Sequence, residues 1–201
     1  KPLIYYTLKE AKKSKHLTNY IVSTDSAKIK NVVKKYKVEV PFIRPKKFSK
    51  DNSSSASALK HALIQCEKFY NKKFDYVIEL MVTNPLKTVV DINNVVKILI
   101  KNKSDSVIAV NQLQDHHPAR IKKIVNGKLH DFSIKEKLES RRQDLKPKAY
   151  VRSGSIYAMS RRFVMQGKRY FSGKSLAYIL PPERTINIDD KNDLLMAKIK
   201  V

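Results

Sequence analysis

Apolar and polar positions along the chain alternate between two periods. Leu8 and Ala11 share one face of a helix predicted over residues 3–13. Tyr20-Ile21-Val22-Ser23 is a short apolar run and reads as a buried strand. Ile29, Val32, Val33 and Tyr36 return to helical spacing, and Val38-Glu39-Val40 predicts a second strand stopped by Pro41. A helical stripe follows on Ala56, Leu59, Leu63, Cys66 and Phe69 or Tyr70, then a strand over residues 75–80. Asp91 is placed to cap a helix carrying Ile92, Val95, Val96 and Leu99. Strands are predicted at Ser106–Val110 and at Ala149–Tyr157, and a last helix opens at Asp189 or Asp190.

Strand and helix in alternation, with short connections, predict an α/β fold: a doubly wound, mostly parallel sheet. Residues 1–201 read as one domain. Segment 111–148 breaks the rhythm. It is polar and basic, and too long for a simple loop, so it reads as an arm or functional insertion. The chain opens almost directly in a helix, so the first strand of such a sheet is absent and the helix at Leu3 has nothing to cover.

The charge is 42 basic against 18 acidic groups, a net +24, which suggests an anionic partner (nucleic acid, a membrane surface or a phosphorylated small molecule), with a plain lysine-coated surface as the preferred reading. The excess is spread along the chain without a basic tail, and lysine outnumbers arginine 33 to 9. Arg forks serve specific phosphate and base reading, so this balance weakens a nucleic-acid role, which stays as the alternative. One cysteine excludes an internal disulfide and a cysteine zinc cluster. No apolar run approaches the ~20 residues of a membrane span. The expected compartment is the cytoplasm.

Several short stretches carry candidate chemistry. Val22-Ser23-Thr24-Asp25 ends a strand with hydrogen-bonding side chains, either for a ligand or for a helix cap. Arg44 sits between prolines, and Ser53, Ser54 and Ser55 stand at a helix start, where anions are favoured. An ordinary capped loop is the other reading. Thr83 and Asn84 follow the strand at 75–80, at the carboxyl edge where open α/β sheets bind ligands. Arg120, Arg142 and Arg152 are placed to converge on a carboxylate. His116-His117 lacks metal-ligand spacing. Asn187 and Asp189 put oxygen donors at a strand-to-helix junction, suited either to magnesium beside phosphates or to capping.

In order, K-P-L-I-x-Y-T-x-x-x-A-K-K-S, I-V-S-T-D, V-P-F-x-R-P, D-x-x-S-S, T-x-P-L-x-T, H-H-P, R-Q-x-L, R-x-G-x-I-Y and I-x-I-D-x-x-x-D-L span nearly the whole chain. Together they resemble the CMP-sialic acid synthetase (acylneuraminate cytidylyltransferase) family. The resemblance implies a Rossmann-like nucleotidyltransferase that joins CTP to a nine-carbon 2-keto sugar acid and releases pyrophosphate. It implies Mg2+ at Asp189 and Asn187, and a cytidine side at Arg44 and Ser53 to Ser55. Thr83 and Asn84 look like the sugar loop. Arg120, Arg142, Gln143 and Arg152 are similar to groups that hold the sugar carboxylate or phosphates, with Asp189 and Arg142 closest to the chemistry. Tyr157 matches a pocket aromatic, and Tyr170 with Phe171 an aromatic pair near the N-acyl group. The 111–148 arm would reach a second subunit, giving a homodimer with shared sites.

The chain departs from the family pattern at four places. Its opening strand and Gly-Ser-Lys phosphate loop are absent, which predicts weak CTP binding by the chain as it stands. Met81 replaces a usual Gln, Asn187 an Asp, and Ser153 an Asn. The related eight-carbon acid of CMP-Kdo synthetases is the alternative substrate. The arm and the aromatic pair point instead to nine-carbon acids of the legionaminic or pseudaminic kind.

Overall fold

The computed structural model describes residues 1–113, 115–136 and 141–200. The core is a four-stranded sheet in the order β1 (Tyr76–Leu80), β5 (Tyr150–Ser160), β2 (Ser106–Gln112), β6 (Ser175–Ile179). β2 and β6 are parallel, and β5 is antiparallel to both β1 and β2. Three of the four strands therefore run one way, as the predicted mostly parallel sheet requires, with β5 reversed between β1 and β2.

The central strands are buried on both faces over residues 107–109 and 156–159, which is why these stretches are apolar without alternation. On one face Val107, Ala109, Ile156 and Ala158 pack with Ile92, Val95 and Leu99 of α4 (Val89–Asn102). On the other, Ile108, Tyr157 and Met159 pack with Leu63 of α3 (Ser55–Phe69) and with Phe163 and Val164 of α5 (Arg161–Met165). The i, i+3, i+4, i+7 stripe at 92–99 is thus the buried face of α4.

Asp91 is not the cap of α4. Thr88 is the N-cap and Asp91 the third helical residue of a reciprocal capping box. At the far end, Asp190 accepts from the backbone of Asn192 and Asp193 and so opens α6 (Lys191–Lys200).

The two predicted N-terminal strands shrink to one parallel bridge, Ile21 to Glu39. Each apolar run is only three or four residues long, and Pro41 ends the second, so no ladder propagates. Thr185–Asn187 likewise is a loop, not a strand. The expectation that the first helix covers nothing is also corrected. α1 (Ile4–Lys13) buries Leu8 against Val38, Val40 and Val33 of α2 (Ala27–Lys34). It meets α4 through Glu10, whose carboxylate accepts the Val89 N–H at 2.9 Å.

Segment 111–148, of which residues 114 and 137–140 lie outside the described residues, holds a hairpin that its polar composition hid. β3 (Lys122–Val125) pairs with β4 (Lys128–Asp131) across Asn126-Gly127. Both turn residues have positive φ, at 50° and 75°, the conformation of a tight two-residue hairpin turn. Ile124 and Leu129 are direct cross-strand partners, 74% and 73% exposed.

Candidate active site

The site lies where β1, β2 and β6 end and β5 begins. Its centre is an irregularity between β2 and β5: Ile108 faces Tyr157, but Val110 already faces Arg152. Residues 153–155 are squeezed out of register. Gly154 takes φ +67°, which a side chain would strain. The Ser153 hydroxyl locks the bulge by donating to the Ala109 carbonyl (2.9 Å) and accepting from the Ser155 N–H (3.1 Å). Such bulges re-aim side chains at a sheet rim; here the residue re-aimed is Arg152.

Three segments are stitched around this bulge. The Met81 N–H donates to the Ser155 carbonyl (3.0 Å), and the Ile188 N–H to the Thr83 carbonyl (2.8 Å). Fully buried Asn84 donates its amide to the Ser153 carbonyl at 3.4 Å. The Asn187 amide donates to Asp189 at 2.7 Å. The structure thus brings Thr83, Asn84, Arg152, Asn187 and Asp189 to one rim. Asn84 Oδ1, Ser155 Oγ and Asn187 Oδ1 are buried there without a protein partner among the described residues. Buried oxygens left unpaired in one seam are open to a ligand or to ordered water.

One wall is aromatic and cationic. The rings of Tyr157 and Tyr170 lie 5.1 Å apart. The Arg152 guanidinium stands 4.3 Å from the Tyr170 centroid, and that of Arg169 stands 4.3 Å from Tyr170 and 4.8 Å from Tyr157. Arg169 is buried and ion-paired with Glu79 at 2.7 Å. Phe171, grouped with Tyr170 by the sequence, is 82% exposed and is not part of this wall.

The arm supplies a second concavity of about 440 Å3, lined by Gln112, His117, Arg142, Gln143, Lys146 and Lys148 among others. Arg142 pairs with Asp115 at 3.0 Å and Arg120 with Glu136 at 3.7 Å. Both nitrogens of His117 are engaged, Nε2 with the Pro147 carbonyl and Nδ1 with the Ala119 N–H. Neither is left for a metal. No group of three or more His, Cys, Asp or Glu is arranged for a metal among the described residues.

The expected cytidine side stands apart. Arg44 Nε donates to Ser49 (2.9 Å), and its guanidinium lies 3.7 Å from Asp25. Ser54 caps α3 and the Ser53 hydroxyl donates to the Lys47 carbonyl, so both serve the capped-loop reading, while Ser55 is exposed at the first turn. No hydrogen bond, ion pair or ring contact among the described residues joins this cluster to the Thr83 segment. Arg120 and Arg142 pair within the arm with Glu136 and Asp115, and Arg152 lies at the bulge over the Tyr170 ring.

Sequence reasoning missed Arg169, Glu79 and Lys87. A usable signal existed for two of them. Glu79 is the only charge inside the otherwise apolar β1 run, and a charge set among apolar strand residues calls for a partner. Arg169 directly precedes the Tyr170-Phe171 pair.

Eight of the nine arginines are ion-paired with carboxylates of the described residues, and Arg152 is the exception. Among the described residues, no helix is long and apolar enough to cross a membrane.

The chain is 30% identical over 200 residues to the pseudaminic acid cytidylyltransferase of Campylobacter jejuni subsp. jejuni, covering 99% of this chain and 84% of that one. It is 26% identical over 204 residues to the post-translational flagellin modification protein B of Campylobacter coli, covering 99% and 83%. The N-acylneuraminate cytidylyltransferase of Escherichia coli is 26% identical over 200 residues, which span 98% of this chain but 45% of that protein. In fold, the chain matches a CMP:2-keto-3-deoxy-manno-octonic acid synthetase with a TM-score of 0.62 at 15% identity, over 99% of this chain and 89% of that one. A 4-diphosphocytidyl-2C-methyl-D-erythritol synthase from Anaerococcus prevotii matches with 0.60 at 10% identity, over 99% and 85%. The cytidylyltransferase family profile fits residues 1–175, and the chain belongs to that family of nucleotidyltransferases.

Proposed function

We propose that the protein activates a nine-carbon, sialic-acid-like 2-keto sugar acid with CTP, giving the CMP-sugar and pyrophosphate. The supporting observation is the rim itself: Thr83, Asn84, Asn187 and Asp189 gathered round a bulge that projects Arg152, the arginine without a carboxylate partner among the described residues. An acid needs such a free cation, and a guanidinium fork fits a carboxylate in two-pronged fashion. Relatives named for pseudaminic acid and N-acylneuraminate support the same substrate class.

In this reading the sugar's anomeric oxygen attacks the α-phosphorus of CTP as the α–β phosphoanhydride breaks. No covalent enzyme intermediate is required. Rate comes from alignment and from neutralising charge on the phosphate oxygens. Arg142 and Gln143 would reach the phosphates or the acid from the arm. Arg44 and Ser55 would serve the cytidine side.

Asp189 would give Mg2+ its carboxylate, and Asn187 would join it through Oδ1 once its amide turned over, because Nδ2 now donates to Asp189 and Oδ1 is buried beside Gly154. Magnesium commonly takes only one or two carboxylates and fills its shell with phosphates and water. When bound, it would neutralise triphosphate charge. The reaction draws on the nucleoside triphosphate pool, so the cytoplasm is its place.

The test is pyrophosphate release by the purified full-length protein at saturating CTP and Mg2+. Pseudaminic acid, N-acetylneuraminic acid and the eight-carbon acid Kdo are offered in parallel. Release is expected with a nine-carbon acid, and it should stop on chelation by EDTA. Silence with every acid would overturn the assignment.

We further infer a homodimer joined through the arm. Ile124 and Leu129 project from one face of the hairpin, and Phe132 beside them is 63% exposed. Paired apolar side chains this exposed mark a contact surface. The double substitution Ile124→Glu/Leu129→Glu is expected to halve the mass seen by sedimentation equilibrium. A wild type that already sediments as a monomer would exclude the dimer.

A further inference from the structure

The Glu79–Arg169 pair serves no evident structural need. Glu79 lies in β1 opposite Tyr157 of β5, and Arg169 comes from the segment between α5 and β6. Arg169 Nε donates to Glu79 Oε2 at 2.7 Å and Nη2 contacts the same oxygen at 2.7 Å. Nη2 also meets the Met81 sulfur at 3.7 Å. Burial pushes the Glu79 carboxyl above its ordinary pKa, with Arg169 pulling only partly the other way. Desolvation thus outweighs attraction, and buried ion pairs of this kind add little to folding compared with apolar replacements.

The pair does fix the pocket wall. Arg169 stacks on both Tyr157 and Tyr170, and Tyr170 in turn carries Arg152 at 4.3 Å. Cation–π contacts favour a defined placement of a guanidinium over a ring and are stronger when desolvated. Charge is arranged to the same end. Arg169 is neutralised by Glu79, whereas Arg152 is exposed and has no carboxylate partner among the described residues. The wall therefore carries one net positive charge, at Arg152, over a floor built from Tyr157, Tyr170 and the Arg169–Glu79 pair.

We propose that Arg169, clamped by Glu79, is a positioning residue for the sugar-acid substrate: it holds Tyr170, and through Tyr170 Arg152, in the orientation that receives the acid. The proposal rests on the cytidylyltransferase reading above and names which half of the two-substrate site the wall serves. It distinguishes Arg169 from residues acting on CTP.

The test uses two variants beside the wild type, with KM measured separately for CTP and for whichever acid the wild type turns over. Glu79→Met/Arg169→Met removes both charges, so the fold has no orphaned ion to bury. Its thermal midpoint is expected at or above wild type, with KM for the acid raised tenfold or more and KM for CTP within twofold. Arg169→Lys keeps the charge but loses the planar stack and fork, and should raise KM for the acid three- to fivefold. If the double variant does not fold, Arg169→Lys carries the same discrimination. Unchanged KM for the acid in a folded variant, or equal rises for both substrates, would overturn the proposal while leaving the enzyme assignment intact. A wild type inactive with every acid would sink the assignment itself.

Discussion

Asp91→Ala is expected to destabilise the protein by about 3–5 kcal/mol, the range for removing one member of a buried charged network. Its carboxylate is fully buried. It accepts from the Thr88 N–H and hydroxyl, both at 2.8 Å, from the Tyr178 hydroxyl at 2.9 Å and from Arg184 Nη2 at 2.9 Å. Arg184 Nε also lies 2.9 Å away, but off the hydrogen-bond direction, so that contact is Coulombic. One side chain therefore ties the start of α4 to β6 and to the 3-10 turn at Pro182–Arg184. Alanine would strand Arg184 and Tyr178 and open the capping box. Burial alone would raise the Asp91 pKa, but the combined donors outweigh it and hold the group below its ordinary 3.8. A depressed folded pKa contributes stability that is complete above the unfolded value and lost as pH falls through the folded one. The alanine variant should therefore show a lower urea midpoint at pH 7 and a shallower loss of stability on acidification. Asp91→Asn keeps the shape and one acceptor oxygen and should lie between. Equal midpoints for wild type and Asp91→Ala would remove the hub role.

What was legible in the sequence follows from what is local. The stripe on α4 and the apolar runs of β1 and β2 are periodic, and the core reads them directly. β6 escaped because it pairs only with β2: Leu176 and Ile179 remain 38% and 51% exposed, and alternation is weak in so open a strand. The hairpin was legible in principle, since Asn126-Gly127 between Ile-Val and Lys-Leu is a hairpin turn, but the polar setting masked it. The two N-terminal strands were over-read because apolar runs of three or four residues do not by themselves secure a ladder. In the site, Thr83, Asn84, Asn187 and Asp189 are legible from motifs at strand ends and loops, Arg152 and Tyr157 from the R-x-G-x-I-Y motif within β5, and Tyr170 from the aromatic pair. Glu79 and Arg169 stand 90 positions apart, and no window along the chain pairs them. A lone glutamate in a buried strand announces that a partner exists but not where it is.

The pH dependence of stability should carry a second signature, from Lys87. This lysine is 1% exposed and its ammonium is surrounded by neutral oxygens. It donates to Thr7 Oγ1 at 3.0 Å, to the Met81 carbonyl at 2.7 Å and to the Asn84 carbonyl. It therefore pins α1 to the same loop that presents Thr83 and Asn84. Burial pulls its pKa from 10.5 down to about 7, with Asp91 opposing only in part. Between those values the unfolded chain holds a proton that the folded protein lacks, so raising the pH favours folding. Below pH 7 both states are protonated and the slope from this group vanishes. Above pH 9 the Cys66 thiol works against it. Burial, aided by Glu39 and Glu67, raises that group from 9.0 to about 11, so the unfolded thiol ionises first and stability falls. The clean window is pH 7 to 9, where urea midpoints of the wild type should rise, by at most about 1.4 kcal/mol per pH unit for a single proton. Lys87→Met deletes that proton and leaves three acceptors unmet. It should destabilise the protein by at least about 2 kcal/mol at pH 7. The gap to wild type should then widen towards pH 9, because only the wild type gains. A gap that stays constant across the window would mean that Lys87 remains charged throughout, its ammonium sustained by the three oxygens despite burial.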